Sequence, residues 1–187
     1  MKRNRDTAKR KTAYHHGDLG AALVECGLEL IEEKGIRALT MREIGARLGV
    51  SRSAPYRHFR DKDDLLSAIS RAGFLELASV LERAKEGAVG GFKPQMDAMA
   101  VAYVRFALEH RAQFEVMFAA LLEGGGTTEG SGQAFRVLED IIREAQQQGE
   151  VRPGDPALLA RVVWALVHGA SILLSDEVLI SGERGMP

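Results

Sequence analysis

Between residues 52 and 58 the chain places Arg52, Ser53, Ala54, Tyr56, Arg57 and His58 almost side by side. A guanidinium can fork onto a guanine edge or grip a phosphate, serine and tyrosine hydroxyls can bond phosphate oxygens, and the Ala54 methyl can meet that of a thymine. Such a set suits a polyanion with readable edges, which is duplex nucleic acid. Catalytic chemistry finds no comparable set. No nucleophile stands beside a placed base, Gly124 to Gly126 lack the following lysine of a phosphate-cradling loop, and His15-His16 has no third ligand at metal spacing. An all-helical enzyme is the remote reading, and neither a metal nor a cofactor is expected.

The surrounding residues read as the frame that presents these groups. Thr40-Met41-Arg42-Glu43 is a capping box, in which Thr40 caps the Glu43 amide and Glu43 reaches back. The short helix it opens ends at Gly49, and Ser51 caps a second one to about His58. Two short helices can cross near a right angle if a small residue sits at the crossing and a glycine turns the chain. Gly45 and Gly49 meet those needs, with Ile44, Leu48 and Val50 inside, which is the layout of a helix-turn-helix. A helix from Asp18 to Gly35 precedes it, carrying Leu19, Leu23, Cys26 and Leu30 at three-and-four spacing. A long helix capped by Asp61 follows. Lys62 in its first turn can join backbone amides at one phosphate, and Thr40 and Met41 can do the same across the groove. Tyr14, His15 and the basic residues 1–13, expected to be disordered when free, can follow the backbone or enter the minor groove.

The segment Tyr14 to Leu66 resembles the DNA-binding domain of the tetracycline-repressor (TetR) family of bacterial regulators. The matching residues are Tyr14-His15-His16-Gly17-Asp18-Leu19, Gly35, Thr40, Arg42, Ile44, Gly49-Val50-Ser51, Tyr56-Arg57-His58-Phe59, Asp61-Lys62 and Leu65. The remainder is similar to one C-terminal branch of that family, through Tyr103 to His110, Met117-Phe118 and Trp164 with His168-Gly169. Two residues depart from the pattern. Pro55 stands in the recognition helix in place of the usual apolar residue and deletes a backbone donor, and Arg111 stands where the branch commonly has a proline. The resemblance implies a homodimer that binds a pseudo-palindromic operator, most often as a repressor, and is released by a small apolar ligand. The rival is a DNA-binding regulator controlled by a protein partner or by its own abundance.

The 187 residues are 45% hydrophobic and 27% charged, with 5 prolines, ordinary values for a soluble helical chain. Residues 1–62 hold 14 Lys/Arg against 8 Asp/Glu, a net +6, whereas residues 63–187 hold 11 against 18, a net −7. A basic head on an acidic body suggests that the head alone meets the polyanion. The single cysteine, Cys26, excludes an intramolecular disulfide and fits a cytoplasmic address. No apolar run follows the basic start, so no signal peptide is expected. The longest apolar stretch, Ala157 to Leu174, carries Arg161 and His168 and falls short of a membrane span.

The expected architecture is all-α, about eight or nine helices: an N-terminal three-helix helix-turn-helix domain over 14–62 and a C-terminal helical bundle over 63–187. Residues 123–132 read as a loop. Met96, Met99, Tyr103, Phe106, Phe114, Met117, Trp164 and His168 are candidates to line a ligand cavity in the body, or simply to fill its core. Helices 133–148 and 156–175 are the candidates for a dimeric four-helix seam, through Phe135, Leu138, Ile142, Ala165, Gly169 and Ile172.

Overall fold

Asp18 accepts the Ala21 N–H at 3.0 Å and so opens α1 (Leu19–Lys34), which ends where Gly35 takes φ +79°. A 3-10 turn (Ile36–Ala38) leads to Thr40, whose Oγ1 accepts the Glu43 N–H at 3.1 Å and opens α2 (Met41–Arg47). After a second 3-10 turn (Pro55–Arg57), Asp61 caps α3 (Lys62–Gly87), whose 26 residues span about 39 Å at 1.5 Å each. Then come α4 (Phe92–Glu109), α5 (Arg111–Leu122), α6 (Glu129–Gln147) and α7 (Pro156–Ser175), the last capped by Asp155. The computed structural model describes residues 18–122 and 129–175, and there is no strand among the described residues.

α3 is the axis of the molecule. Its first turns pack on α1, and its remaining length is wrapped by α4, α5 and α6; α7 lies along α4 and α6. Two cores result. The head core joins Leu23, Leu30, Leu39 and Ile44 to Leu65 and Ile69 of α3 and to Val116 of α5. The body core joins Phe74 and Leu77 of α3 to Met99, Tyr103, Phe106 and Met117. Successive residues of α5, Val116 and Met117, therefore enter different cores. The head core draws on residues well beyond the boundary expected at residue 62.

Four expectations need correction. Only half of the capping box forms, because the Glu43 carboxylate turns to Lys34 (3.4 Å) and Arg47 (3.9 Å) and so stitches α2 to α1. The segment from Ser51 to His58 is not a regular helix. Pro55 has no N–H to give, and the chain closes with i to i+3 bonds such as Ala54 N–H to Ser51 O and His58 N–H to Pro55 O, both 3.0 Å. The loop read over 123–132 gives way to helix by Glu129. Gly130 is pressed onto α3, where an added Cβ would sit 2.8 Å from the Arg71 carbonyl oxygen. Finally, α7 has 20 residues and a mean hydropathy of 1.9, long and apolar enough to cross a membrane by length and composition.

Candidate nucleic-acid interface

The reading segment is held from beneath. Pro55 is fully buried, and its ring lies against Gly45, where an added Cβ would come within 3.3 Å of Pro55 Cγ. The small residue at the crossing is thus needed because a proline ring takes the space. Gly49, at φ +69°, reverses the chain, and Val50 N–H returns to Gly45 O at 3.0 Å. On this base Arg52, Ser53, Tyr56, Arg57 and His58 are exposed, and Ala54 is half-buried. His58 lies over the first turn of α1, close to Gly20.

The head's basic side chains divide into two groups. Arg47 forks onto Glu33 at 3.0 and 2.5 Å, Lys34 pairs with Glu43, and Arg60 leans on Asp64. These hold the fold together; the Arg47 guanidinium keeps the Glu33 carboxyl below its ordinary range, chiefly through that hydrogen bond. Arg37, Arg42, Arg52 and Arg57 are exposed and have no carboxylate partner among the described residues. Spacing alone singles out Arg52 and Arg57 but not Arg37 and Arg42, whose exposure and lack of a carboxylate partner among the described residues make them further candidates; the usable signal for Arg42 is that its neighbour Glu43 is taken by other cations.

Two expected phosphate contacts stand differently from the spacing argument. The Lys62 ammonium donates to the Ile36 carbonyl at 2.8 Å and closes the turn after α1. The Met41 side chain is buried in the head core, so only its backbone amide can face a phosphate, beside Thr40, which is exposed. Tyr14 and His15 lie outside the described residues.

In the body, Met99, Tyr103, Phe106, Phe114 and Met117 are buried and packed together. The chamber that Met99 and Tyr103 border with Met96 and Trp164 holds about 30 Å³, room for a water or two. The candidate ligand wall is therefore core over most of its area. One polar contact crosses it: the Tyr103 hydroxyl meets His168 Nδ1 at 3.2 Å. The His168 ring is stacked on Phe114 and lies 4.1 Å from the centre of Phe118. Burial pushes the Tyr103 phenol far above its ordinary range and holds the His168 imidazole below 6.5.

That depression has a signed consequence. The unfolded chain takes up a proton at an ordinary imidazole as pH falls through 6.5, while folded His168 resists it, so stability declines below that pH and levels off only beneath the folded value. Thermal melts at about pH 8 and about pH 5 should differ by more in the native chain than in His168→Gln. An equal difference in the variant would place the dependence on other groups.

The expected seam residues separate as well. Leu138 and Ile142 are 6% and 2% exposed within the single chain, spent on its own core, so they are corrected as seam residues. Phe135 is half-buried and faces Trp164. Ala165, Gly169 and Ile172 lie towards the open side of α7, with nothing within 4 Å of a Cβ added at Gly169.

Comparison with known proteins places this geometry. Residues 23–69 match the profile of bacterial regulatory proteins of the tetR family, and residues 96–182 match the tetracyclin repressor-like C-terminal domain. A structure of a protein of unknown function from Rhodococcus sp. RHA1 is similar over 95% of this chain and 91% of that one, with 34% identity and a TM-score of 0.81. The TetR family transcriptional regulator PfmR from Thermus thermophilus is similar over 80% of this chain and 84% of its own, with 26% identity and a TM-score of 0.60. The HTH-type transcriptional regulator Rv1816 of Mycobacterium tuberculosis is 26% identical over 153 residues, 79% of this chain; the match spans 64% of that relative, less than two thirds of its length. The two profiles fall on the helix-turn-helix unit and on the helical body behind it, and the chain belongs to the tetR family of bacterial regulatory proteins.

Proposed function

We propose that the chain is a DNA-binding transcription regulator, a repressor that grips a pseudo-palindromic operator as a homodimer in the cytoplasm. The observation that carries this reading is the set of exposed arginines in the head, two of them on the proline-braced turn and its approach, that have no carboxylate partner among the described residues. Fixed on a buried base, Arg52 and Arg57 reach outward to base edges while Arg37 and Arg42 are free for phosphates. Binding of this kind releases counterions, so affinity for duplex DNA should fall steeply with salt. Arg52→Ala should cost ~1–3 kcal/mol on the preferred sequence and little on random duplex. Fluorescence anisotropy on a site selected from random oligonucleotides measures both, and equal losses on the two duplexes would show that Arg52 reads no base.

The second copy is seated, in this reading, on α7. Leu158, Val162 and Leu166 are 55%, 51% and 70% exposed, far more apolar surface than a lone helix of a monomer leaves open. A groove of about 710 Å³ beside them, lined by Val101, Val104 and Leu108 of α4, extends the same face. A two-fold seam also accounts for α7's span-like hydropathy, because the helix is apolar both inward and outward.

Release by a small apolar ligand completes the proposal. The 30 Å³ chamber favours the rival without a ligand, since it has no space for one. A larger cleft on the opposite side of Trp164 favours the ligand.

A further inference from the structure

We propose that this cleft binds a planar aromatic carboxylic acid, with its rings held by Phe118, Phe135 and Trp164, backed by the buried Phe74, and its carboxylate by Arg161; the inference deepens the ligand-released reading and rests on it. The cleft has a volume of about 360 Å³, within the range of about 300–1,000 Å³ typical of small-ligand sites. Its walls are two aromatic pairs supplied by four helices. Phe74 of α3 meets Phe118 of α5 edge to face at 5.3 Å, and Phe135 of α6 meets Trp164 of α7 at 5.9 Å. An inserted aromatic ring packs well against such walls, face to edge or offset. Trp164 is braced from behind by Tyr103, whose ring it meets edge to face at 5.6 Å, so that wall is fixed before a ligand arrives.

Charge selects the other half of the ligand. Arg161 lies one turn before Trp164 on α7 and lines the cleft, and no acidic side chain among the described residues does. Its ionic partner among the described residues is Asp155, at 3.9 Å, too long for a hydrogen bond, and Asp155 is engaged in capping α7 through Ala157 N–H at 2.9 Å. The guanidinium fork is therefore available to a carboxylate in the two-point geometry it prefers, and it repels a cationic ligand. A neutral ring would gain the walls but leave the fork unused. A saturated acid would gain the fork but lose the edge-to-face contacts. Phe74 gives such a ligand a route outward, because it stands on the helix that also carries Leu65 and Ile69 of the head core.

Trp164 is the chain's one tryptophan and therefore gives one indole N–H resonance, inside the site. The test titrates the full-length chain with 2-naphthoate, 2-naphthamide and decahydronaphthalene-2-carboxylate, following heat by calorimetry and the Trp164 indole signal by NMR. The expected result is that naphthoate shifts the indole signal and binds at least tenfold more tightly than either analogue, and that Arg161→Gln removes the advantage over the amide while leaving the melting temperature unchanged. Equal affinity for the amide overturns the role of Arg161; equal affinity for the saturated acid overturns the aromatic box; no heat and no shift at millimolar naphthoate overturns the site. Both readouts are taken without DNA, so a failure of operator binding leaves them intact. An acid that binds here without changing operator affinity supports the site and removes ligand release from the proposed function.

Discussion

Gly169→Glu should turn the chain into a monomer and lower operator affinity by ~100-fold or more, equivalent to about 2.7 kcal/mol. Within one chain a side chain at this position meets nothing, since an added Cβ has no atom within 4 Å, so folding should tolerate the change. At a two-fold seam the same carboxylate would be buried beside its own symmetry mate, without a partner in either copy, which is strongly destabilising. Gly169 sits among Leu158, Val162 and Ala165 on the open arc of α7, where two copies would approach most closely. Sedimentation velocity at micromolar concentration should give about twice the 20.4 kDa chain mass for the native protein and a single chain mass for the variant. A dimeric variant with native operator affinity would remove α7 from the seam.

Phe74→Ala should destabilise the fold by ~3–5 kcal/mol, the range for removing a large ring from a packed core. The Phe74 side chain is completely buried, faces Phe118 edge to face, and has the backbone of α6 against it at Gly130, where an added Cβ would lie 3.0 Å from Phe74 Cβ. Neither neighbour can move in easily, one being a large ring already packed and the other backbone, so the cavity should stay open. For a chain of this size the loss corresponds to a fall in Tm of roughly 6–20 °C. A fall below about 3 °C in a thermal melt would mean that α6 collapses onto α3 after all.

The helix starts were the most legible part of the sequence. Asp18, Thr40, Asp61 and Asp155 each accept a backbone N–H two or three residues on, a local interaction that one side chain decides. Gly49 was legible for the same reason, since its positive φ is a local requirement. What apolar periodicity could not say is which surface a face meets. Phe135, Leu138, Ile141 and Ile142 share one side of α6, and nothing local distinguishes a stripe that covers its own core from one that waits for a partner; burial within the chain settles Leu138 and Ile142. Spacing also gives no sign of the carbonyl partner that Lys62 takes at Ile36, which lies 26 residues away. Pro55 could be seen to lose a donor but not to fill the space above Gly45, because that contact exists only once α2 and the turn are folded together.

The division of α5 between two cores bears on how such a regulator diversifies. A gene exchange with its seam at residue 62 would hand a new body a head stripped of Leu65, Ile69 and Val116, three of the side chains that fill it. The heritable module is thus discontinuous: α1, α2, the first turns of α3 and one face of α5 must travel together. Val116 answers to the head, while its neighbour Met117 and, beside it, Phe118 answer to the body and to the aromatic cleft. In the proposed reading, mutations that retune what the body senses act on the helix that supports the reading surface, which ties operator preference to effector preference.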